Sequence, residues 1–326
     1  MFILSYMATY SLIIPVYNRP DEIDELLESL TKQTYTDFEV VVVEDGSKIP
    51  CKTIVDEYAD RLKVRYFDIE NRGPGGARNY GVQESAGEYV IILDSDCIIP
   101  PTYLEHVTKS FQETGADAFG GADKAHASFS TVQKAINYSM TSFFTTGGIR
   151  GSKKKLDKFY PRSFNMGMKR TVYVALNGFS NMRYGEDIDF SIRIFKGGYK
   201  CCYFPEAWVY HKRRTDFSQF FRQVNHSGHA RIDLYLKYPE SLKLVHCLPA
   251  AFTIGVAGLL LLSFAEEKFA FLLLLYILLI FFDSLLKNRS LSVAFLSIPA
   301  SFIQLTGYGT GFLSAVWNKL ILKKGR

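Results

Sequence analysis

Glu88-Tyr89-Val90-Ile91-Ile92-Leu93-Asp94-Ser95-Asp96 decides how this chain is read. Its first six residues form an apolar run of the kind that makes a buried β-strand. The run ends in two carboxylates at i and i+2, which leave a strand end on the same side. With one small residue between them, both reach one cation. Hard cations such as Mg²⁺ or Mn²⁺ take carboxylate oxygens together with the oxygens of a diphosphate. Asp-x-Asp alone is common in turns, so the flanking sequence has to give it meaning.

Upstream, Tyr10-Ser11-Leu12-Ile13-Ile14-Pro15-Val16 reads as a strand, and Asp21 to Thr31 has helical spacing with Ile23, Leu26, Leu27 and Leu30 on one face. Phe38 to Val43 is a second apolar strand. A short helix over Ile54 to Leu62, a strand around Val64 to Phe67 and a helix over Gly75 to Ser85 follow. Strands alternating with helices predict βαβ units and a mainly parallel sheet, where ligands bind outside the carboxyl ends of the strands. Three strands end in polar or ionic residues: Tyr17-Asn18-Arg19, Glu44-Asp45-Gly46-Ser47 and Asp94-Ser95-Asp96. They are expected to converge at one rim. A second region begins after Ala118, with Gly120-Gly121, a helix-like stretch over Thr131 to Phe144 and a loop from Gly147 to Lys158. The Lys153-Lys154-Lys155 run in that loop reads as a solvated charge cluster. A strand over Ser163 to Met168 and a helix to Leu176 lead to Gly185-Glu186-Asp187-Ile188-Asp189, which opens a helix whose dipole favours acids in its first turn.

The chain has 326 residues, enough for one large domain or two modest ones. A net charge of +5, from 38 basic and 33 acidic residues without one basic patch, argues against a nucleic-acid partner. Cys51, Cys97, Cys201, Cys202 and Cys247 show neither zinc-type spacing nor a disulfide framework, which predicts a reducing compartment. Met1 to Ala8 lacks a basic n-region and reads as a lead-in to the first strand rather than a signal peptide.

Past Lys243 the composition changes, and we place a domain boundary at 240/241. Apolar segments over about 244–264, 269–286 and 291–318 compare with the roughly 20 residues a bilayer span needs. Basic loops stay in the cytoplasm. Lys287-Asn288-Arg289 and the tail (Lys319, Lys323, Lys324, Arg326) therefore predict that loop, tail and residues 1–240 all lie inside. Two helices satisfy this for the first two segments. The third is expected to enter and return as a broken hairpin near Pro299 to Gly307, the alternatives being a full span or a buried core helix. Asp283 is expected near the interface, close to Lys287.

The ordered motifs Pro15-Val16-Tyr17-Asn18-Arg19, Glu44-Asp45-Gly46-Ser47, Gly76-Ala77-Arg78-Asn79, Gly87-Glu88-Tyr89, Leu93-Asp94-Ser95-Asp96 and Gly185-Glu186-Asp187 resemble family 2 inverting glycosyltransferases of the GT-A fold. The likeness covers roughly residues 10 to 230, and the hydrophobic C-terminal part is similar to the anchors of bacterial members that build exopolysaccharide, capsule or lipid-linked glycans. The resemblance implies a Rossmann-like α/β mixed sheet, a nucleotide-sugar donor (UDP-sugar), a glycan or lipid-linked saccharide acceptor, Mg²⁺ or Mn²⁺, and a multi-pass place in the bacterial inner membrane. It implies that Asp45 accepts from the uracil imide and that Pro15, Tyr17 and Asn18 line the nucleotide pocket. Asp94 lies by ribose and metal, and Asp96 ligates the metal. Asp187 is the general base, Glu186 orients the acceptor or Asp187, and His211 adds a metal or diphosphate contact. Arg72 and Arg78, flanking Gly73-Pro74-Gly75-Gly76, add positive charge for the diphosphate, and Arg222 is a candidate diphosphate or acceptor contact.

The chain departs from the family in two places. Glu44-Asp45 replaces the usual Asp-Asp, and Phe220 to His226 lacks the Gln-x-x-Arg-Trp of processive polymerases. A base facing the acceptor across the ring predicts inversion. Three competing readings are a polyprenyl-phosphate sugar transferase, which needs no strong base, an inert glycan- or nucleotide-binding membrane subunit, and a nucleotidyltransferase. The intact Asp45, Asp94, Asp96 and Asp187 argue against the inert subunit. Tyr17-Asn18-Arg19-Pro20 stands where a nucleotidyltransferase would carry a glycine-rich basic loop.

Overall fold

A computed structural model of the chain describes residues 9–126, 128–146 and 159–323. The lead-in over Met1 to Ala8, the Lys153-Lys154-Lys155 cluster with most of its loop, and the tail residues Lys324 and Arg326 lie outside the described residues. In chain order the elements are β1 (Tyr10–Val16), α1 (Pro20–Leu30), β2 (Phe38–Asp45), α2 (Lys52–Asp56), β3 (Val64–Ile69), α3 (Gly73–Glu84), β4 (Tyr89–Leu93), β5 (Cys97–Ile98), α4 (Tyr103–Thr114), β6 (Ala118–Lys124), α5 (Thr131–Thr141), α6 (Phe143–Thr146), β7 (Asn165–Lys169), α7 (Arg170–Ala175), α8 (Glu186–Lys196), β8 (Cys201–His211), α9 (Phe217–Lys237), α10 (Leu248–Ser263), α11 (Lys268–Asn288) and α12 (Leu291–Ala315).

The chain divides into two compact units, Met1–His126 with Asp157–His211, and Ala127–Leu156 with Lys212–Arg326. This grouping differs from a cut at 240/241, because α5, α6 and α9 belong with the C-terminal helices. The first unit carries the sheet, in the order β3-β2-β1-β4-β7-β6-β8-β5. β1 to β4 run parallel, β7 is antiparallel to both β4 and β6, and β8 is parallel to β6. The half built from βαβ units is thus parallel as expected, and β7 makes the whole sheet mixed. The period of two along each strand sends side chains to opposite faces. Leu12, Ile14, Val40, Val42, Ile91 and Leu93 pack with Leu26, Leu27, Leu104 and Val107 on one face. Ile13, Val41, Val43, Val90 and Ile92 pack with Ala77, Val82, Tyr173 and Phe190 on the other. The chain leaves β1 for β2 and β3 on one side and returns to β4 on the other. The crevice beyond β1 and β4 is therefore a topological switch point, where open α/β sheets bind ligands.

Among the described residues of the second unit three helices are long and apolar enough to cross a membrane: Leu244–Ser263, Lys268–Asn288 and Leu291–Ile321. One expectation is corrected here. The third segment has no break near Pro299 to Gly307, for α12 runs unbroken from Leu291 to Ala315 with Pro299 inside it. Its glycines serve packing instead. A Cβ on Gly307 would meet Val224 and Phe221, and one on Gly311 would meet the Asn225 backbone of α9. Small residues let helix backbones approach in this way. Asp283 on α11 accepts from Tyr138 (2.6 Å), Ser142 (3.2 Å) and Lys287 (2.9 Å), so its charge is satisfied within the helices.

Candidate active site

The three polar strand ends meet. Asn18 adopts φ 54°, a left-handed conformation that Asn tolerates. That turn lets its amide donate to Ser47 Oγ at 2.7 Å while its Oδ1 accepts from the Lys48 and Ile49 amides (2.7 and 3.2 Å). The end of β1 is thereby sewn to the loop after β2. Glu44 is fully buried and braces the same loop, accepting from the Ser47 hydroxyl and the Cys51 amide. Its longer side chain thus has a structural task beside the following Asp45. The buried Asp45 accepts from the Arg72 amide at 2.6 Å, which ties β2 to the start of α3. Pro15 is half-buried in β1, and Tyr17 stands half-exposed at the rim. The Arg72 guanidinium lies 6.0 Å from the Tyr80 ring centroid.

Beyond β4, Asp96 is buried and holds two partners. Arg19 Nη1 donates to its Oδ2 at 2.7 Å, and His211 Nε2 lies 3.1 Å from its Oδ1. His211 ends β8, stacks on Phe164 (centroids 4.7 Å, planes 20° apart) and has a buried Nδ1 without a hydrogen bond. Asp96, Cys97 and His211 offer donor atoms within 4.8 Å of one another. Burial, with the Asp96 and Asp94 charges nearby, pushes the Cys97 thiol well above its ordinary value, so it stays protonated. The remaining carboxylate oxygen and imidazole nitrogen suit Mg²⁺ or Mn²⁺, and a neutral thiol adds little for hard cations. Asp94 stands apart from this donor cluster.

Asp94 instead receives Arg78. The Arg78 guanidinium is 4% exposed and donates to Asp94 (2.9 Å) and to Glu186 (2.7 Å). Arg78 was expected near the diphosphate, but its cation is turned inward as a strut between the end of β4 and the start of α8. Burial raises the Glu186 carboxyl above its ordinary range, against the pull of Arg78. Asp187 is also buried, and Arg162 Nε donates to it at 2.5 Å. Burial alone would raise Asp187, but the Arg162 charge and hydrogen bond outweigh it and hold the carboxyl below the ordinary carboxylate range. Asp189, fully buried, pairs with Arg193 at 2.9 Å. Each acid of the first turn of α8 thus has its own arginine, an arrangement richer than dipole capping alone.

Sequence reasoning missed four residues that shape the site. Arg162 and Arg19 are among them, and so is Cys97. Asn79 is the fourth, holding the Phe179 amide (2.8 Å), the Phe179 carbonyl (2.9 Å) and the Tyr173 hydroxyl (2.6 Å), which fixes the loop leading into Glu186. Asn79 and Arg19 sit inside quoted motifs, so position alone could have found them. Arg162 carries no local signal.

Comparison with known proteins follows this geometry. The Glycosyl transferase family 2 profile matches residues 11–174. The chain is 27% identical over 257 residues to Glycosyltransferase AglE of Haloferax volcanii, covering 77% of this chain and 82% of that protein. It is 37% identical over 115 residues to the poly(ribitol-phosphate) β-N-acetylglucosaminyltransferase TarS of Staphylococcus aureus, covering 34% of this chain and 20% of TarS. Among solved structures, the mannosyltransferase PcManGT of Pyrobaculum calidifontis, in complex with GDP-Man and Mn²⁺, superposes with TM-score 0.64 at 20% identity over 93% of this chain and 88% of that one. TarS 1–349 of S. aureus with UDP-GlcNAc superposes with TM-score 0.52 at 19% identity, over 94% and 91%. These structures share the GT-A-type fold.

Proposed function

The chain belongs to glycosyl transferase family 2, and from that premise we propose an inverting, membrane-associated glycosyltransferase. It moves a sugar from a nucleotide-diphosphate donor, a UDP-sugar, to a hydroxyl of a glycan or lipid-linked acceptor in bacterial glycan synthesis. The observation that carries the reading is the Arg78 strut, a buried guanidinium that joins Asp94 at the end of β4 to Glu186 at the start of α8, next to Asp187. In this reading Asp187 is the general base. Its depressed pKa keeps it ionised at neutral pH. The acceptor O–H gives its proton to Asp187 while the oxygen bonds to the anomeric carbon. The carbon–oxygen bond to the diphosphate breaks, and its electron pair leaves with the diphosphate. A base across the ring from the leaving group makes the product inverted.

Asp45 receives the base of the nucleotide, with Pro15, Tyr17 and Asn18 around it, and Asp94 lies beside the ribose. Asp96 and His211 hold a divalent cation, which when bound supplies charge for the departing diphosphate. Support for the donor class comes from AglE and TarS, named as glycosyltransferases, and from the fold neighbours holding UDP-GlcNAc or GDP-Man. The three apolar helices support membrane association, and the basic loop and tail support a cytoplasmic catalytic side.

The test is Asp187→Asn assayed with a panel of nucleotide sugars and Mn²⁺. Nucleotide binding is expected to persist while kcat falls on the order of 10²- to 10⁴-fold. Unimpaired transfer to a hydroxyl acceptor by Asp187→Asn sinks the base assignment. Transfer to a polyprenyl phosphate that ignores the substitution points to the alternative enzyme class.

A further inference from the structure

We propose that α12 is not a third membrane crossing. It lies across the half of the α10–α11 hairpin that holds the start of α10 and the end of α11, so its two ends stay on the side where α9 lies. The proposal rests on the membrane reading above.

The contacts among these helices set a scale of depth. Phe252 of α10 and Tyr276 of α11 pack ring to ring at 5.3 Å, which marks a common level, and Phe302 of α12 touches both (5.9 and 5.6 Å). At 1.5 Å per helical residue, Ser284 lies about 12 Å from that level along α11, and Pro249 about 4.5 Å along α10. Both displacements point to the same side, because the two helices are antiparallel and that side holds the start of α10 and the end of α11. Ahead of Phe302, Ser297 bonds Ser284 at 2.7 Å and Phe295 packs on Phe281 at 4.8 Å. A straight crossing would carry Gly309 about 10 Å beyond Phe302 toward the far side. Gly309 instead abuts Thr253 and Pro249, the residues one after and three before Phe252, so it stays at about the common level. Phe312 and Ala315 then pack with Ala250, Cys247 and Ile232, and Lys319 pairs with Asp233 of α9. The unbroken helix reaches the common level and runs along it rather than past it.

Two independent features agree. Helix α9 carries Arg222, His226, His229, Arg231 and Asp233, a density of ionisable groups rare in segments that cross a bilayer. A helix end paired with α9 is therefore at the aqueous boundary. The apolar windows of the first two candidate spans are 6% and 11% buried, as lipid-facing helices should be, whereas that of the third is 39% buried, covered by neighbouring helices. An interfacial α12 also leaves Lys287, Arg289, Lys319 and Lys323 on one side, which a third crossing does not.

The test is thiol labelling of the full chain in sealed right-side-out membrane vesicles, with an impermeant maleimide read by peptide mapping so that the native cysteines stay. Ala265→Cys, in the exposed α10–α11 turn, is expected to label in intact vesicles. Leu322→Cys is expected to label only after lysis. Labelling of both sites in intact vesicles means α12 crosses and overturns the proposal, and labelling of neither removes the hairpin itself. Labelling of Leu322→Cys alone keeps the two sites on opposite sides and so upholds the proposal, but sinks the cytoplasmic placement. Recovery of the protein in the soluble fraction sinks the membrane reading and this proposal with it. A C-terminal alkaline phosphatase fusion, needing no substitution, should be inactive in cells, and an active fusion contradicts the expected tail position.

Discussion

Arg162 alters what the candidate base can do. A buried carboxylate without a partner takes up a proton more readily, and Arg162 reverses that for Asp187. On the proposed function Asp187 acts when ionised, so its lowered pKa would extend activity toward acid. In Arg162→Gln burial is opposed only by the Arg78 charge and the Ile188 amide, so the pKa rises and the acid limb of kcat/KM against pH should move to higher pH. A limb that stays in place would mean that Arg162 does not act through Asp187. The same linkage applies to stability. A depressed carboxyl pKa stabilises the fold above the unfolded-state pKa, and that contribution is lost as pH falls through the folded-state value. The loss in Arg162→Gln should therefore be largest near neutrality and shrink in acid. None of this was legible in the sequence. Asp187 stands out by its place in Gly185-Glu186-Asp187, but its partner lies 25 residues away in a segment without a signature.

At the scale of elements, the strands written as continuous apolar runs were readable, and β8 was not. Cys201–His211 carries Pro205 in its interior and no regular alternation. Proline is disfavoured inside sheets, where it removes a ladder hydrogen bond. The strand is recognisable only once β6 and β5 lie beside it, yet it delivers His211 to Asp96. Helix α3 shows the opposite case. Its extent was readable as a helix over Gly75 to Ser85, but the sequence does not show that Gly81 is where the helix presses onto the sheet. A Cβ there would stand 2.6 Å from Ile13 Cγ2 and 3.0 Å from Val43 Cγ2. Gly81→Leu should cost about 1–3 kcal/mol by overpacking, seen as a lower urea midpoint at unchanged slope. On the proposed function it should also weaken nucleotide binding, because the start of α3 is tied to Asp45 through the Arg72 amide. Wild-type stability in that variant would mean the helix can shift away from the sheet freely.

For the whole molecule, uniform apolarity hid which faces meet lipid and which meet protein. The C-terminal segments were recognisable by length and lack of charge, but the sequence does not say that α5 and α9 pack on α12. Phe220 and Val224 are buried with Ile136, Met140, Ile303 and Tyr308, and Ala135 with Val293 and Ala300. A chain ended at residue 240 therefore leaves a contiguous apolar surface on α5 and α9, of the kind that drives association. It should be recovered as aggregates or only with detergent, as judged by size exclusion with light scattering. A monodisperse monomer in buffer would show that the two helices need no cover.

The Arg78 fork has a further consequence, one of gauge. A guanidinium is planar and rigid, and here one such plane is gripped at both ends by carboxylates inside the protein. The gap between the end of β4 and the start of α8 is thus set by the width of a single side chain. On the proposed function, sugars of different bulk would not be admitted by spreading that gap without breaking the ion pairs of Arg78. A change of donor must come from reshaping the walls around it.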